Sequence, residues 1–272
     1  MNTAPSFEHR YFSGAELYGD DFDEQQIAHW FADEEHGYAD LHGTDPRRHD
    51  YGYTALNVHH GYSALPATRR FRHALGFGSN VGDELVPVLD RIERITLLDA
   101  SDRYVVNQLR GVPVNYVLAH PSGSIALDRA SVDLITCFGV LHHIPNVSRV
   151  LAEFSRVLAP GGWLLMREPT TTMGDWRRPR RGLTVRERGI PRRLFVSMVE
   201  RAGLEVNRAA DCYFPPWVRL CSRLGVATFR SPVATAMDSA LARASAWNYT
   251  YHRPGIRAKF APASLFVAAT KP

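Results

Sequence analysis

The chain has 272 residues, of which 45% are hydrophobic, 11% aromatic and 22% charged, and its formal net charge is +4. This composition supports a large apolar core and excludes a chain that is disordered throughout. No run of about 18 apolar residues occurs, so the sequence predicts no transmembrane helix and no membrane partner. Residues 1–10 lack the apolar core of a signal peptide, and we expect a cytoplasmic protein.

The cysteines and the basic residues narrow the function classes further. Cys137, Cys212 and Cys221 are scattered without a Cys-x-x-Cys pair, which excludes a zinc knuckle and a disulfide framework. Lys259 and Lys271 are the only lysines, so nearly all positive charge is arginine. This preference for arginine over lysine either favours the binding of anionic ligands or reflects an ordinary solvated surface on which arginine stands in place of lysine. No basic stripe with interleaved stacking aromatics occurs, so nucleic acid is not an expected partner.

Residues 1–70 are predicted to form an N-terminal helical extension or cap. Ile27, Trp30 and Phe31 recur at helical spacing among acidic residues, which predicts a helix over 23–41. Residues 44–48 are predicted to form a loop. The segment 51–65 is rich in tyrosine and histidine, and it either lines a ligand cavity or packs as a helix on the sheet edge.

From residue 71 onward, apolar runs of strand length alternate with polar turns and helix-period segments. This alternation predicts a doubly wound α/β fold, in which a mostly parallel sheet is covered by helices on both faces. The predicted strands are 72–77, 95–99, 114–118, 131–138, 163–167, 204–209 and, as a last edge strand, 265–269. The predicted helices are 82–92, 101–109, 146–158 and 191–202, and an insertion at about 211–262 precedes the last strand.

Residues 170–191 interrupt this rhythm and are predicted to form a loop over the carboxyl end of the sheet. The loop holds Trp176 and the arginines Arg177, Arg178, Arg180, Arg181, Arg186 and Arg188. Guanidinium groups match phosphates and carboxylates, so Trp176 and Arg177 are candidate substrate-binding residues and an anionic small molecule is a candidate substrate. An ordinary solvated loop is the alternative.

A glycine-rich turn follows the first predicted strand, with Gly76, Gly78 and Gly82 in it. Asp99 ends the second strand about twenty residues later, where a carboxylate can accept hydrogen bonds from ribose hydroxyls. A helix N-terminus after the turn would present unpaired N–H groups to a ligand. The combination indicates a cofactor that carries a nucleoside, although glycines alone also occur in plain strand–helix turns.

Three further motifs follow in order: residues 128–135, the stretch Val-Leu-His-His-Ile-Pro at 140–145, and residues 156–162 with Pro-Gly-Gly. Together with the glycine turn and Asp99 they resemble class I S-adenosylmethionine-dependent methyltransferases. The resemblance is close over 71–169 and architectural over 191–272. It implies S-adenosylmethionine as cofactor, a binding domain over 71–272 and a seven-stranded sheet with one antiparallel strand near an edge.

The resemblance also implies the cofactor contacts, which are Gly76, Gly78, Asn80, Gly82, Asp99, Ala100, Ser122, Gly123, Phe138 and Gly139. Two positions depart from the family pattern. Asn80 stands where many members have a third glycine, and Asn tolerates left-handed dihedrals better than most residues. Pro121 stands where the family often has an acidic residue, so backbone groups alone would contact the adenine.

The acceptor side carries the candidate catalytic residues. His142 and His143 follow the fourth strand, and we expect one of them to face the substrate as a general base, or both to serve the backbone. Glu168 ends the fifth strand and either orients a histidine, binds a substrate hydroxyl or pairs with an arginine. No metal is expected, because adjacent histidines such as His59–His60 or His142–His143 should diverge and no third ligand is suggested.

The sequence therefore predicts methyl transfer to oxygen or nitrogen of a small polar metabolite or a sugar- or nucleotide-like intermediate. One alternative is a nicotinamide-dependent oxidoreductase, which is disfavoured because the Tyr-x-x-x-Lys arrangement is absent. The other is a non-methylating protein on the same fold. The sequence names neither the acceptor nor the oligomeric state.

Overall fold

The computed structural model describes residues 6–41, 51–178, 180, 182–253 and 255–272, with the main chain alone over 35–41. The predicted loop at 44–48 lies outside the described residues. In the part of the chain that is described, no helix is both long and apolar enough to cross a membrane.

One mixed sheet forms the centre of the fold. Its strands among the described residues are β1 (Ala74–Phe77), β2 (Ile95–Asp99), β3 (Gln108–Leu109), β4 (Val112–Leu118), β5 (Val132–Phe138), β6 (Leu158–Pro169), β7 (Glu205–Cys212) and β8 (Ser264–Thr270). The spatial order is β3-β4-β2-β1-β5-β6-β8-β7. Strands β4, β2, β1, β5 and β6 are parallel, whereas β8 runs antiparallel to β6 and β7.

This order places the binding crevice. From β1 the chain moves outward to β2 and β4, and it then returns to the other side of β1 with β5. Ligands in open α/β sheets bind at the carboxyl ends of the strands where the order reverses. The predicted doubly wound fold, with an antiparallel strand near one edge, is confirmed. The last strand is not itself the edge, because β7 pairs on its outer side.

The helices cover both faces of the sheet, and their bounds are α1 (Glu24–Leu41), α2 (Thr54–His60), α3 (Val147–Val157), α4 (Arg192–Arg201), α5 (Pro215–Arg223) and α6 (Pro232–Ala244). Val147, Val150, Leu151 and Phe154 form one fully buried face of α3. They pack on Ile135 and the neighbouring sheet residues, because the helical period brings them to one side.

The segments after β1 and β2 differ from the prediction. The first is a 3₁₀ helix, Asp83–Arg91, which contains Pro87, a residue that cannot donate an N–H. The predicted helix at 101–109 is wrong, since only Asp102–Tyr104 form a 3₁₀ turn. Val105 is 59% exposed, so the segment has little apolar face to bury. Its end instead pairs as β3, the additional edge strand of the sheet.

The apolar core lies on both sides of the sheet, and Cys137 is fully buried within it, as predicted. The region between β7 and β8 contains α5 and α6, and the carboxylate of Asp238 accepts from the N–H groups of Tyr213 and Phe214, both at 2.8 Å. This contact anchors the two helices beside the carboxyl end of the sheet.

Candidate active site

A cavity of about 850 Å³ opens at the carboxyl ends of the central strands. One end is lined from the turns after β1, β2 and β4. The opposite end is lined from β6, β7, α1 and the segment before α2. Its lining includes the predicted residues Gly78, Asn80, Asp99, Ala100, Gly123, Phe138, Gly139, His142 and His143. The predicted residues Gly76, Gly82, Ser122, Glu168, Trp176 and Arg177 are outside the described lining.

The turn after β1 requires its glycines. Gly78 has φ +65°, and a Cβ there would lie 2.5 Å from two side-chain carbons of Val140. A Cβ at Gly76 would lie 2.6 Å from the Ser79 hydroxyl oxygen. Asn80 adopts φ 49°, which is the left-handed conformation expected of an asparagine in this place. The main chain of the turn is therefore exposed to the cavity without side-chain obstruction at Gly78.

Asp99 joins the second strand to this turn. Its carboxylate accepts from the N–H of Asn80 at 3.0 Å and from the N–H of Ser101 at 3.4 Å. The residue is buried, yet it lines the cavity. Because β1 and β2 are adjacent parallel strands, the strand order alone brings Asp99 and the glycine turn together. The predicted placement of Asp99 at the glycine turn thus matches the geometry.

The turn after β4 carries the predicted adenine contacts. Gly123 lines the cavity at φ +78°, and a Cβ there would meet Val150 at 2.8 Å. Ser122 holds the turn in place, since its carbonyl accepts from the Asn146 amide at 2.8 Å. The side chain of His120 also lines the cavity and pairs with the Ser122 hydroxyl at 2.7 Å. The sequence analysis missed His120, whose imidazole ring lines the cavity next to Pro121.

The two histidines lie in a single 3₁₀ turn directly after β5, and their ring centroids are 4.0 Å apart. The expectation that they diverge is therefore wrong. His143 Nδ1 lies 2.8 Å from a carboxylate oxygen of Glu34 on α1. His142 Nδ1 lies 2.8 Å from Glu168 Oε2, and its Nε2 lies 3.4 Å from Glu187 Oε1.

These carboxylates give the two rings different charges. Burial disfavours the imidazolium of His142, but the hydrogen bonds to Glu168 and Glu187 outweigh it and raise its pKa to about 9. Burial, together with the charge of His142, lowers the pKa of His143 against the pull of Glu34. At neutral pH His142 is therefore protonated and His143 is neutral. Because Nδ1–H of His143 donates to Glu34, its Nε2 is the basic nitrogen.

The turn that carries the histidines is held from two sides. Glu168 is fully buried and accepts from the N–H groups of Val140 and Leu141, both at 2.9 Å. Burial alone would raise its pKa, but His142 and these amides lower it below the usual range. The fully buried guanidinium of Arg188 donates to the carbonyl oxygens of Leu141, His142, Ile144 and Pro145. These contacts favour the orienting role among the alternatives for Glu168.

A metal-compatible set occurs within this cluster. One ligand atom each from His142, His143 and Glu187 lie within 4.8 Å of one another, so the expectation that no third ligand exists is wrong. Such a set suits a divalent cation. In the arrangement described, the imidazole ring of His142 lies between Glu168 and Glu187. These residues are the ones that could hold a metal.

The predicted substrate-binding pair in the loop after β6 packs elsewhere. Trp176 stacks on Tyr18 with centroids 5.3 Å apart, and its indole N–H donates to the Thr172 carbonyl at 2.7 Å. Arg177 is bound to Asp175 at 2.9 Å and also to Glu8. Nearby acidic and carbonyl oxygens likewise engage the guanidinium groups of Arg178, Arg180, Arg186 and Arg188. These described arginines connect segments of the chain, and Arg181 lies outside the described residues.

Another arginine, Arg167 near the end of β6, lines the cavity. The sequence analysis treated it only as part of the predicted strand 163–167. Arg167 is 8% exposed, and its guanidinium carbon lies 4.0 Å from the ring centroid of Tyr53. Burial opposes its charge, yet Tyr51 and Tyr53 help to hold its pKa above the usual value. A signal was available, because a charged residue in the strand sequence Leu-Leu-Met-Arg is unusual for a strand buried on both faces.

Comparison with known proteins agrees with this geometry. Residues 75–166 match a family model described as a methyltransferase domain. A ubiquinone biosynthesis O-methyltransferase from Paraburkholderia phymatum is 37% identical over 54 residues, which cover 20% of this chain and 23% of that protein. The corresponding protein from Thiobacillus denitrificans is 33% identical, with the same coverage of 20% and 23%.

Solved structures share the fold at low identity. The [4+2]-cyclase SpnF superposes with a TM-score of 0.53 at 18% identity, covering 85% of this chain and 86% of that one. An S-adenosylmethionine-dependent methyltransferase from Mesorhizobium loti gives a TM-score of 0.52 at 16% identity, covering 77% of this chain and 95% of that one.

The strand order, the open turn at Gly78 and the carboxylate of Asp99 at the cavity wall define a Rossmann-like domain that fits S-adenosylmethionine. The family match spans the glycine turn, Asp99 and the histidine turn. Residues 75–166 are therefore a methyltransferase domain on a fold of the class I type, and S-adenosylmethionine is the cofactor that this domain implies.

Proposed function

We propose that this chain transfers a methyl group from S-adenosylmethionine to an oxygen or nitrogen atom of a small polar metabolite. The observation that carries the proposal is a single cavity. It joins the glycine turn and Asp99 to the neutral ring of His143. The names of the two curated relatives, both O-methyltransferases, favour oxygen as the acceptor atom.

We assign the cofactor to the end of the cavity formed by the turns after β1, β2 and β4. The residues that would contact it are Gly78, Asn80, Asp99, Ala100, Gly123, Phe138 and Gly139. Gly76, Gly82 and Ser122 would shape the two turns from behind. When bound, the cofactor supplies an electrophilic methyl carbon on a sulfonium sulfur.

The acceptor is proposed to lie at the opposite end, between the sheet and the flanking segments. Residues 1–70 contribute Trp30, Glu34, Tyr51 and Tyr53 to the lining, and the region at about 211–262 contributes Tyr213. We therefore treat residues 1–70 as a cap, residues 71–272 as the methyltransferase domain and 211–262 as an insertion that completes the acceptor pocket. In the aromatic segment at 51–65, Tyr51 and Tyr53 line the cavity, and α2 follows them with His60 stacked on Phe266 of β8, which is not an edge strand.

In the proposed reaction a lone pair of the acceptor forms the new bond to carbon, and the C–S electron pair remains on sulfur. His143 Nε2 accepts the acceptor's proton, and the carboxylate of Glu34 stabilises the imidazolium that results. Burial and, next to it, the positive charge of His142 lower the pKa of His143 and keep its ring neutral before the reaction. Glu168 and Arg188 fix the turn, so that both rings keep their positions.

The experiment has two stages. Calorimetry with S-adenosylhomocysteine should show binding by the wild type and weaker binding by Asp99→Asn. Transfer of a radiolabelled methyl group into fractions of a metabolite extract should then fall by about 10²–10⁴-fold in His143→Gln, while its S-adenosylhomocysteine affinity stays within about twofold. His29→Gln, an exposed histidine on the same helix as Glu34, is the matched control.

If the wild type binds S-adenosylhomocysteine but labels no fraction of the extract, the alternative of a non-methylating protein on this fold is favoured. SpnF, which shares the fold, is named a cyclase. Normal turnover in His143→Gln would refute the general-base assignment. The nicotinamide-dependent alternative is set aside, because residues 75–166 match a methyltransferase domain.

A further inference from the structure

We infer that Arg167 is the binding site for a carboxylate of the methyl acceptor, so that the acceptor is a small carboxylic acid with an aromatic or otherwise flat body. This inference rests on the proposed function, because it assigns the far end of the same cavity to the acceptor. It goes further in naming the chemical class of the acceptor and the residue that selects it.

The first argument is that no counter-ion of Arg167 occurs among the residues that the structure describes. Arg167 is 8% exposed, and its Nε is buried without a hydrogen-bond partner among the described residues. No ion pair of Arg167 occurs in that part of the chain either, whereas Arg188, which is fully buried, donates to a set of carbonyl oxygens. A buried guanidinium that lacks an acceptor is costly unless a ligand supplies one.

The second argument is the direction and shape of the space in front of it. The guanidinium carbon lies 4.0 Å from the centroid of the Tyr53 ring, which leaves the N–H edges for a ligand. A Cβ at Gly139 would lie 3.7 Å from Arg167 Nη2, so the missing side chain leaves room at that nitrogen. A planar carboxylate matches the two parallel N–H donors of such a fork.

The third argument concerns what surrounds the charge. Tyr51, Tyr53, Tyr213 and Phe138 line the cavity beside Arg167. Aromatic walls favour a flat, largely apolar body, which buries well against rings. The combination of one cation with aromatic walls is therefore suited to an aromatic or flat carboxylic acid rather than to a neutral sugar.

The fourth argument is position along the sheet. Strands β1 and β5 separate β2 from β6, and neighbouring strands are about 4.8 Å apart, so Arg167 lies roughly 14 Å from Asp99 across the sheet. The imidazole of His142 lies 3.7 Å from the same Cβ position at Gly139 as the guanidinium does. The anion would thus be held beside His142 and His143, at the end of the cavity away from Asp99. The amino-acid carboxylate of the cofactor is the other anion that Arg167 could bind.

The test measures binding and needs no turnover. With the protein saturated with S-adenosylhomocysteine, affinities for benzoate, phenylacetate and hexanoate are compared with those of the three matched amides by ligand-observed NMR. We expect the wild type to prefer at least one carboxylate over its amide by at least about tenfold. Arg167→Gln should lose that preference, and Arg167→Lys should keep part of it. Arg129→Gln, an exposed arginine outside the described lining of the cavity, should leave it unchanged.

The outcomes separate the sources of the anion. If Arg167→Gln weakens S-adenosylhomocysteine but not 5′-methylthioadenosine, which lacks the amino-acid end, Arg167 binds the cofactor and the inference is overturned. A wild type with no preference for any carboxylate, or an Arg167→Gln variant that keeps the preference, overturns it as well. Retained S-adenosylhomocysteine binding shows that the Gln variant is folded. Failure to detect methyl transfer would refute the proposed function without changing these binding results.

Discussion

Replacing His142 with glutamine should flatten the pH dependence of stability in one defined window. The pKa of His142 is raised from 6.5 to about 9 in the folded chain. A raised histidine pKa stabilises the fold fully below the unfolded value, and this contribution is lost as the pH rises through the folded value. A difference of about 2.5 pH units corresponds to about 3 kcal/mol of unfolding free energy, at about 1.4 kcal/mol per unit.

The groups that contact His142 leave this window clear, whereas Glu84, whose pKa burial raises to about 7, titrates at its lower end in the wild type and the variants alike. The pKa of Glu168 and the pKa of Glu187 are lowered, because the bonds to His142 outweigh the effect of their burial, so both stay ionised there. The pKa of His143 is lowered by burial and by His142, so its ring is neutral in both the folded and unfolded states above pH 6.5. Burial raises the pKa of Cys137 well above 9, so its thiol ionises only in the unfolded state at the upper end of the window, and this contribution is shared by the wild type and both variants.

The assay is urea unfolding at several pH values between about 6 and 10, fitted for the unfolding free energy. Across the window the wild type should lose about 3 kcal/mol more than His142→Gln does, and His143→Gln should follow the wild type. Slopes are compared rather than absolute values, because His142→Gln also leaves two buried carboxylates without a cation. Parallel curves for the wild type and His142→Gln would refute the assignment of a proton to His142.

Three further substitutions test the structure. Gly78→Ala should abolish S-adenosylhomocysteine binding in calorimetry, because the new Cβ would lie 2.5 Å from the side chain of Val140. The control Gly161→Ala, which has a similar φ of +71° but open space around its Cβ, should retain S-adenosylhomocysteine binding. Arg188→Met should cost about 3–5 kcal/mol in urea unfolding, since it leaves buried carbonyls unpaired, while Arg178→Met on the surface should change stability by less than about 0.5 kcal/mol. Arg167→Met should keep or raise the melting temperature, because it removes a buried cation that has no ion pair among the described residues; a clear fall would show that a counter-ion exists.

The cofactor half of the site could be read from the sequence because its parts are local. Gly78 and Asp99 each end a strand, and adjacent parallel strands bring such ends together. The helix at 146–158 was predictable for a similar reason, since its apolar residues recur on one face. By contrast, the predicted helix at 101–109 was wrong, because Val105 is 59% exposed and the segment has little apolar surface to bury.

The acceptor half was predicted only in part, because its partners come from distant segments. Glu34 and His143 are 109 residues apart, and one sequence cannot show that α1 crosses the histidine turn. A hint was available, since Glu34 follows Trp30 by one helical turn on a face that should be apolar. Glu187 carried no such hint within an arginine-rich loop. Arg167 was overlooked because the sequence analysis assigned a chemical role only to the neighbouring Glu168.

The short turn that carries the imidazoles has its amide groups bound to Glu168 and its carbonyl groups bound to Arg188. Its conformational entropy is therefore lost during folding, before any ligand arrives. Such rigidity makes the catalytic centre hard to alter piecemeal, because each change would release several main-chain bonds at once. The tyrosine-lined wall near β6 carries no comparable network among the described residues. Acceptor preference can therefore diversify there, through single substitutions, while the reaction chemistry is inherited unchanged.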